Sequence, residues 1–241
     1  MKKIRNASEL LWLLGTIFVA LGVALCSKAN LGVSMIAAPA FVVQEAVAKL
    51  LPFLSVGATE YIIQAIMLVV LCIAVKRFNW RYLLAFAVAV LYGYTLDFFL
   101  WLLNGITLPF VWQRWVLLLV GDVATAFGVA CYFRTYMPLQ VYELFVAEIA
   151  DCFGFSINKT KCVFDITLLV TPIVLALTLF GDVGTFAWRT IGYTSFHSIG
   201  LGTLVTTAIN SPLIGLMGKG IDKFFEQTPR YAKLEQLLKR H

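Results

Sequence analysis

The sequence predicts an all-α polytopic membrane protein made of two homologous halves, with about six transmembrane helices plus two short re-entrant or interfacial helices. Three observations carry that prediction. Charged residues form only 13% of the 241-residue chain, against roughly 25% in soluble domains. Six apolar segments approach the roughly 20 residues needed to cross a hydrocarbon core. Related motifs also recur in the same order in the two halves. Hydrophobic residues make up 61% of the chain, and mean hydropathy is +0.87. The apolar segments account for most of the sequence, so no large soluble domain remains.

The first segment, Glu9 to Cys26, follows a basic start in MKKIRNASELLWLLGTIFVALGVALCSKA. That opening resembles a signal peptide, yet no small-x-small site precedes a polar region, and Leu25 before Cys26 fits a lipoprotein cleavage site poorly. An uncleaved first helix is expected. The shorter, more polar SMIAAPAFVVQEAVAKL from Ser34 follows, then apolar segments at Tyr61 to Val75 and Tyr82 to Leu103. The second half repeats the order: Trp115 to Phe133, the short LQVYELFVAEIADCFG from Leu139, Val163 to Phe180, and Ile199 to Met217. Pro39 and Pro138 sit near the two short segments, where proline starts or breaks helices.

The halves align at Gly15 with Gly121, an offset of 121 − 15 = 106, which sets Gly22-Val23-Ala24 on Gly128-Val129-Ala130 and Lys28 on Arg134. Glu45 falls opposite Asp151. After a small shift, TEYIIQAIMLVV from Thr59 lies opposite TKCVFDITLLVT from Thr160, and YGYTLDFF opposite MGKGIDKF pairs Asp97 with Asp222. The halves are thus residues 1–110 and 111–225, followed by a basic amphipathic tail, 226–241, expected on the cytoplasmic leaflet.

Two architectures satisfy this pattern. If the short segments cross, eight spans form parallel repeats, and the KRFNWR turn (Lys76, Arg77, Arg81) lies opposite the basic N-terminus. If they do not cross, that turn, Arg134, Lys159, Lys161 and both termini share the cytoplasmic side, leaving Lys28, Lys49, Arg114 and Arg189 outside. The positive-inside tendency favours six spans and inverted halves, an arrangement that recurs in transporters.

The formal net charge of +6 resides mostly between and after apolar segments. It is therefore read as a topology and lipid signal, with the bilayer as partner and no nucleic acid. The five cysteines show no CxxC pairing and no neighbouring histidine, so apolar packing is expected and no metal or cofactor is implied. No Ser-His-Asp order, HExxH, Walker or dinucleotide fingerprint is present, which leaves enzyme as the weakest class.

The stretches GVALCSKANLGVS from Gly22, YGYTLDFFLWLL from Tyr92, NKTKCVFDITLLV from Asn158 and GLGTLVTTAINSPL from Gly200 together resemble the YczE/YyaS/YitT-type family of small bacterial membrane proteins, in particular its DUF6198 branch. The second half departs from the family's glycine-rich loop, with YMPLQVYE from Tyr136 where the first half has ANLGVS. The resemblance implies a duplicated helical fold in the bacterial inner membrane and supplies no substrate.

Ionisable and polar residues inside membrane segments face the protein interior, water or a partner. In the first half these are Lys28, Asn30, Gln44, Glu45, Glu60 and Gln64. In the second they are Asp122, Arg134, Gln140, Glu143, Glu148, Asp151, Lys161 and Asp165. The narrower substrate- or ion-binding set comprises Lys28, Asn30, Glu45, Gln64, Asp122, Arg134, Glu148, Asp151 and Asp165, joined by His197 in SFHSIGLGT.

Lys28 and Arg134 precede the short segments at matching positions, where they either snorkel to the interface or help receive an anion at a helix start. Glu148 and Asp151, three apart, share a helical face and would couple protons or cations if desolvated. Lys161 and Asp165, four apart, form an intrahelical ion pair or bind a ligand.

Two functions fit. One is a secondary transporter or exporter of a small solute, coupled to protons or sodium. The other is a non-transporting membrane partner, regulator or substrate-binding subunit, associated with another protein or with a second copy of the chain.

Overall fold

The computed structural model describes residues 8–48, 50–180 and 199–225. Lys49, Arg189, His197 and the basic tail lie outside the described residues. Eight helices are described: α1 (Ser8–Ala29), α2 (Ala38–Val47), α3 (Val56–Val75), α4 (Arg81–Leu102), α5 (Val111–Tyr132), α6 (Val141–Phe153), α7 (Ile157–Phe180) and α8 (Leu201–Phe224). Six of them are long and apolar enough to cross a bilayer, and α2 and α6 are not. At 1.5 Å per residue, the 10 residues of α2 and the 13 of α6 reach about 15 and 20 Å, short of a roughly 30 Å core. The eight-span alternative is thereby removed.

Two spans are longer than the apolar stretches marked in the sequence. Ser55 caps α3 by accepting from the Ala58 N–H, so the helix begins before Tyr61 and carries Glu60 inside it. Helix α7 begins at Ile157 and takes Lys161 and Asp165 into its first turns. In both cases backbone hydrogen bonding continues the helix through polar residues that a hydropathy reading leaves out.

The centre of the molecule is the crossing of α1 with α5. Gly15 lies against the Gly128 carbonyl, and Gly22 against the Gly121 carbonyl. Partner numbers fall as α1 advances, so the two helices run antiparallel. Glycines seven apart on each helix present a flat strip, and small residues are what allow backbones in a membrane to approach closely.

Helix α4 packs on α1, and α8 packs on α5. Each short helix is held between the same two spans, α3 and α7. The outward faces are apolar, as with Ile66, Val69 and Ile73 on α3 and Val163, Ile166 and Val170 on α7. The buried side chains include small and polar ones, Ala20, Ala24, Thr16 and Thr125 among them.

The chain directions follow from contacts at the ends. Helix α1 finishes where the Lys28 Nζ donates to the Asn104 carbonyl, 2.9 Å away beyond α4. Helix α3 starts where its Gly57 N–H donates to Asp97 on that same end of α4, at 2.8 Å. The chain therefore leaves α1 and enters α3 at one end of the bundle, and α2 turns back without crossing. Helix α5 finishes at Arg134 beside Asp222, the far end of α8, and the later part of α6 meets the start of α4 through Tyr82 and Glu148.

With the native cysteines replaced, a Lys28→Cys reporter is expected to react with an impermeant maleimide from one side of the membrane. Reporters at Arg77 and Lys159 should react from the other. Reaction of position 77 on the same side as position 28 would contradict this path.

Candidate functional site

Both short helices begin inside the bundle. Pro39 sits in the first turn of α2, where its missing N–H costs nothing, and Ala38, Ala40 and Val42 are fully buried around it. Neither Ala37 nor Gln140, the residues preceding α2 and α6, supplies a side-chain cap. At the start of α2 the N–H groups of Ala38 and Ala40 are taken up by the Ser34 and Ala37 carbonyls, so backbone rather than a side chain caps this buried helix end.

Around these two starts lies a cavity of about 30 Å³, room for about one water molecule. Ser34 and Met35 line it from the approach to α2, and Glu143 from the first turn of α6. Thr125 of α5, Lys161 and Asp165 of α7, and Asn210 of α8 complete the wall. Four helices and the loop before α2 therefore contribute polar side chains to one point.

The charges there are unequal. The Lys161 Nζ donates to the Asp165 Oδ1 at 3.2 Å, and Glu143 lies within electrostatic reach of both. The Glu143 Oε2 is buried and makes no hydrogen bond among the described residues. One turn before Thr125, Asp122 is 1% exposed; its Oδ1 accepts from the Asn210 Nδ2 at 3.0 Å, while its Oδ2 has no described partner. Two carboxyl groups, Glu143 and Asp165, thus face one ammonium, with Asp122 held behind Asn210, a balance that attracts a cation or an ammonium-bearing solute.

Lys161, Asp165, Thr207 and Ser211 also line a more open cleft of about 390 Å³ between α7 and α8. Lys161 and Asp165 thus border both this cleft and the smaller cavity.

A second polar layer adjoins the first. Glu60 on α3 is fully buried, and its Oε1 accepts from the Tyr142 hydroxyl of α6 at 3.0 Å. Gln64, one turn further, is equally buried with neither amide atom hydrogen-bonded among the described residues. The Tyr132 hydroxyl donates to the Thr16 Oγ1 at 2.9 Å, tying α5 to α1.

The sequence candidates divide sharply. Gln64, Asp122 and Asp165 are brought to these interior layers. Lys28 and Arg134 are not at the starts of the short helices, which corrects the expectation of an anion-receiving pair. They end α1 and α5, at opposite ends of the bundle. Lys28 caps a loop carbonyl and shares a cleft of about 650 Å³ with Asn30 and Arg114. Asn30, exposed and with φ of 53°, ends α1 in the left-handed region, a conformation that asparagine tolerates.

Arg134 forms a two-pronged contact with Asp222, Nε to Oδ1 at 2.8 Å and Nη2 to Oδ2 at 2.9 Å. The absence of a side chain at Gly218 leaves room for that guanidinium. Asp97, paired with Asp222 by sequence, instead accepts from the Ser55 hydroxyl at 2.5 Å and from the Gly57 N–H. The group that faces Lys28 as Asp222 faces Arg134 is the Asn104 carbonyl.

Glu148 and Asp151 do not form an interior acid pair. Glu148 accepts from the Tyr82 hydroxyl at 3.1 Å, and Asp151 is exposed at the far end of α6, as is Glu45 toward the end of α2. The acid of α6 that reaches the cavity is Glu143, in its first turn. Sequence spacing could not rank it above Glu148, because the depth of α6 depends on where the chain turns back. Glu60, Tyr142, Asn210 and Ser34 were also outside the narrower set; Asn210 carried a signal as the amide inside the apolar run TLVTTAINSPL.

The Arg134–Asp222 contact makes a direct test of stability. Asp222 is 46% exposed, so its loss is expected to cost about 1–2 kcal/mol, below the roughly 3–5 of a fully buried pair. Thermal unfolding of Asp222→Ala in detergent checks it, and Arg134→Lys should recover little, because an ammonium cannot make the two-pronged contact.

Comparison with known proteins adds one match. The profile of a family of unknown function, DUF6198, matches residues 7–219. No curated protein and no solved structure matches the chain.

Proposed function

The chain belongs to DUF6198, and from that premise we propose that it is a secondary transporter or exporter of a small, positively charged or zwitterionic solute, coupled to protons or sodium. The observation that carries this reading is the shared cavity: two short helices begin inside the bundle, and Ser34 and Glu143 at their starts line it together with Lys161, Asp165 and Asn210. Interrupted helices that meet within the membrane are a recurring device for holding a solute midway. The Lys161–Asp165 pair acts as the gate in this reading, since it borders both the small cavity and the open cleft.

Duplication with inversion is part of the same proposal. Under the offset of 106, the contact of Gly15 with Gly128 becomes that of Gly121 with Gly22, and both occur. The antiparallel course of α1 and α5 supports inversion. The resemblance to YczE/YyaS/YitT-type proteins, carried by four short motifs, belongs to this reading too, as does a bacterial inner-membrane address. Lys76, Arg77, Arg81, Lys159 and Arg134 gather at the end where α1 begins, which supports placing that end, with both termini, in the cytoplasm.

The test is flux. Protein reconstituted into liposomes is expected to move at least one member of a panel of amines, amino acids and zwitterions when a pH or sodium gradient is imposed. Absence of flux across the panel, together with one protein co-purifying in stoichiometric amount from native membranes, would favour a non-transporting subunit.

A further inference from the structure

Glu60 lies in the second turn of a membrane-spanning helix with no exposed surface. The groups that face it can be named helix by helix. From α6 come the Tyr142 hydroxyl, which donates to Oε1 at 3.0 Å, and the neighbouring Glu143. From α4 comes Tyr92, 2% exposed and within electrostatic reach; Asp97 of the same helix is engaged with Ser55 and Gly57. The one titratable residue of α2 is Glu45, which is exposed. On α3 itself the neighbour is Gln64.

Among the described residues no lysine or arginine pairs with Glu60, and Lys161 is engaged by Asp165. The Glu60 Oε2 and both amide atoms of Gln64 have no hydrogen-bond partner among those residues. An ionised carboxylate here would be buried without a counter-charge, an arrangement of very high cost. A neutral carboxyl has an O–H to donate, and the unsatisfied carbonyl oxygen of Gln64 one turn away is an acceptor of the right kind.

We propose that Glu60 is a proton-binding site: its Oε2 takes a proton from water as COO⁻ + H⁺ → COOH, with Tyr142 holding the other oxygen and Gln64 receiving the new O–H. The site commits the coupling ion to the proton. Its use in coupling rests on the transport reading above, whereas proton binding stands on the geometry of the cluster alone.

The experiment uses the purified full chain in liposomes and reads protonation directly. Infrared difference spectra are taken between about pH 6 and about pH 9, a range that covers buried carboxyls. A protonated-carboxyl C=O band is expected to disappear as pH rises, to be absent in Glu60→Gln and to be displaced in frequency in Tyr142→Phe, which removes the bond to Oε1. In parallel, the apolar reagent dicyclohexylcarbodiimide, which modifies protonated carboxyls, should label Glu60 at the low end of the range. That labelling should fall about tenfold per pH unit beyond the midpoint, with no protection by about 0.15 M NaCl relative to choline chloride.

Difference spectra of Glu60→Gln that match those of the unsubstituted chain, with no carboxyl component lost, overturn the proposal. So does suppression of band and labelling by sodium but not choline, which would assign the cluster to Na⁺. Protonation of Glu60 without flux of any solute would sink the transport reading and leave this one standing. Sodium-driven flux without a Glu60 band would do the reverse.

Discussion

Gly22→Val is expected to prevent the chain from accumulating as a monodisperse membrane protein, and Gly121→Val to do the same. A Cβ at Gly22 would sit 2.5 Å from the Gly121 carbonyl and 2.6 Å from the Thr125 nitrogen, and one at Gly121 would sit 2.8 Å from the Gly22 carbonyl. These neighbours are backbone, so no rotamer change relieves the overlap. The two central helices would have to separate along their whole contact.

Overpacking in ordinary cores costs about 1–3 kcal/mol, and more where the surroundings cannot yield. Even the alanine variants should therefore lower the thermal midpoint by about 5–10 °C, at roughly 2–4 °C per kcal/mol for a chain of this size. The internal control is Gly215→Ala, where nothing lies within 4 Å of an added Cβ. Its midpoint should hold or rise slightly, since alanine is the better helix former. Equal behaviour of the two substitutions by fluorescence-detected thermal unfolding would refute the close antiparallel contact.

Lys161→Met should be the most damaging single change in the polar interior, and more damaging than Asp165→Asn. Removing the ammonium leaves Asp165 and Glu143 facing each other without a cation, whereas removing Asp165 leaves Lys161 beside Glu143. Breaking a fully buried pair costs about 3–5 kcal/mol. Lys161 retains 32% exposure, so about 2–3 kcal/mol is expected for Lys161→Met. The double variant Lys161→Met/Asp165→Asn should regain part of that stability.

Flux should behave differently. All three variants should lose at least about tenfold, the change that accompanies about 1.4 kcal/mol in binding. A double variant that regains both stability and flux would show that the pair only fastens α7. One that regains stability alone would leave the gate role intact.

Much of this architecture was legible in the residues. Apolar runs in the sequence located six spans, and the short polar segments located α2 and α6 within a few residues. The spacing of Lys161 and Asp165 anticipated their ion pair, because residues four apart on a helix meet whatever the helix packs against. The glycines at 15, 22, 121 and 128 were visible in the sequence only as aligned positions, and their meeting as the strip of the central crossing came from the structure.

The polar site was legible only in part. Gln64, Asp122 and Asp165 were chosen because polar groups within apolar runs are costly to leave facing lipid. Lys28, Arg134, Glu148 and Asp151 were chosen by the same rule, and the structure places them at helix ends or on exposed faces. His197 lies outside the described residues.

What the sequence alone determined is thus the class and the list of groups that must avoid lipid, while the choice of six spans over eight waited on the lengths of α2 and α6. Class and list follow from transfer free energy, which acts on each segment separately. Only the tertiary structure decided which of those groups meet. Whether Glu143 or Glu148 reaches the cavity depends on where residues 133–140 turn back into the bundle. Whether Arg134 is free or held depends on Asp222, 88 residues further along the chain. Such choices are set by the antiparallel contact of α1 with α5 and by the depth of two short helices. They are properties of packing between distant segments, and a local pattern of residues does not encode them.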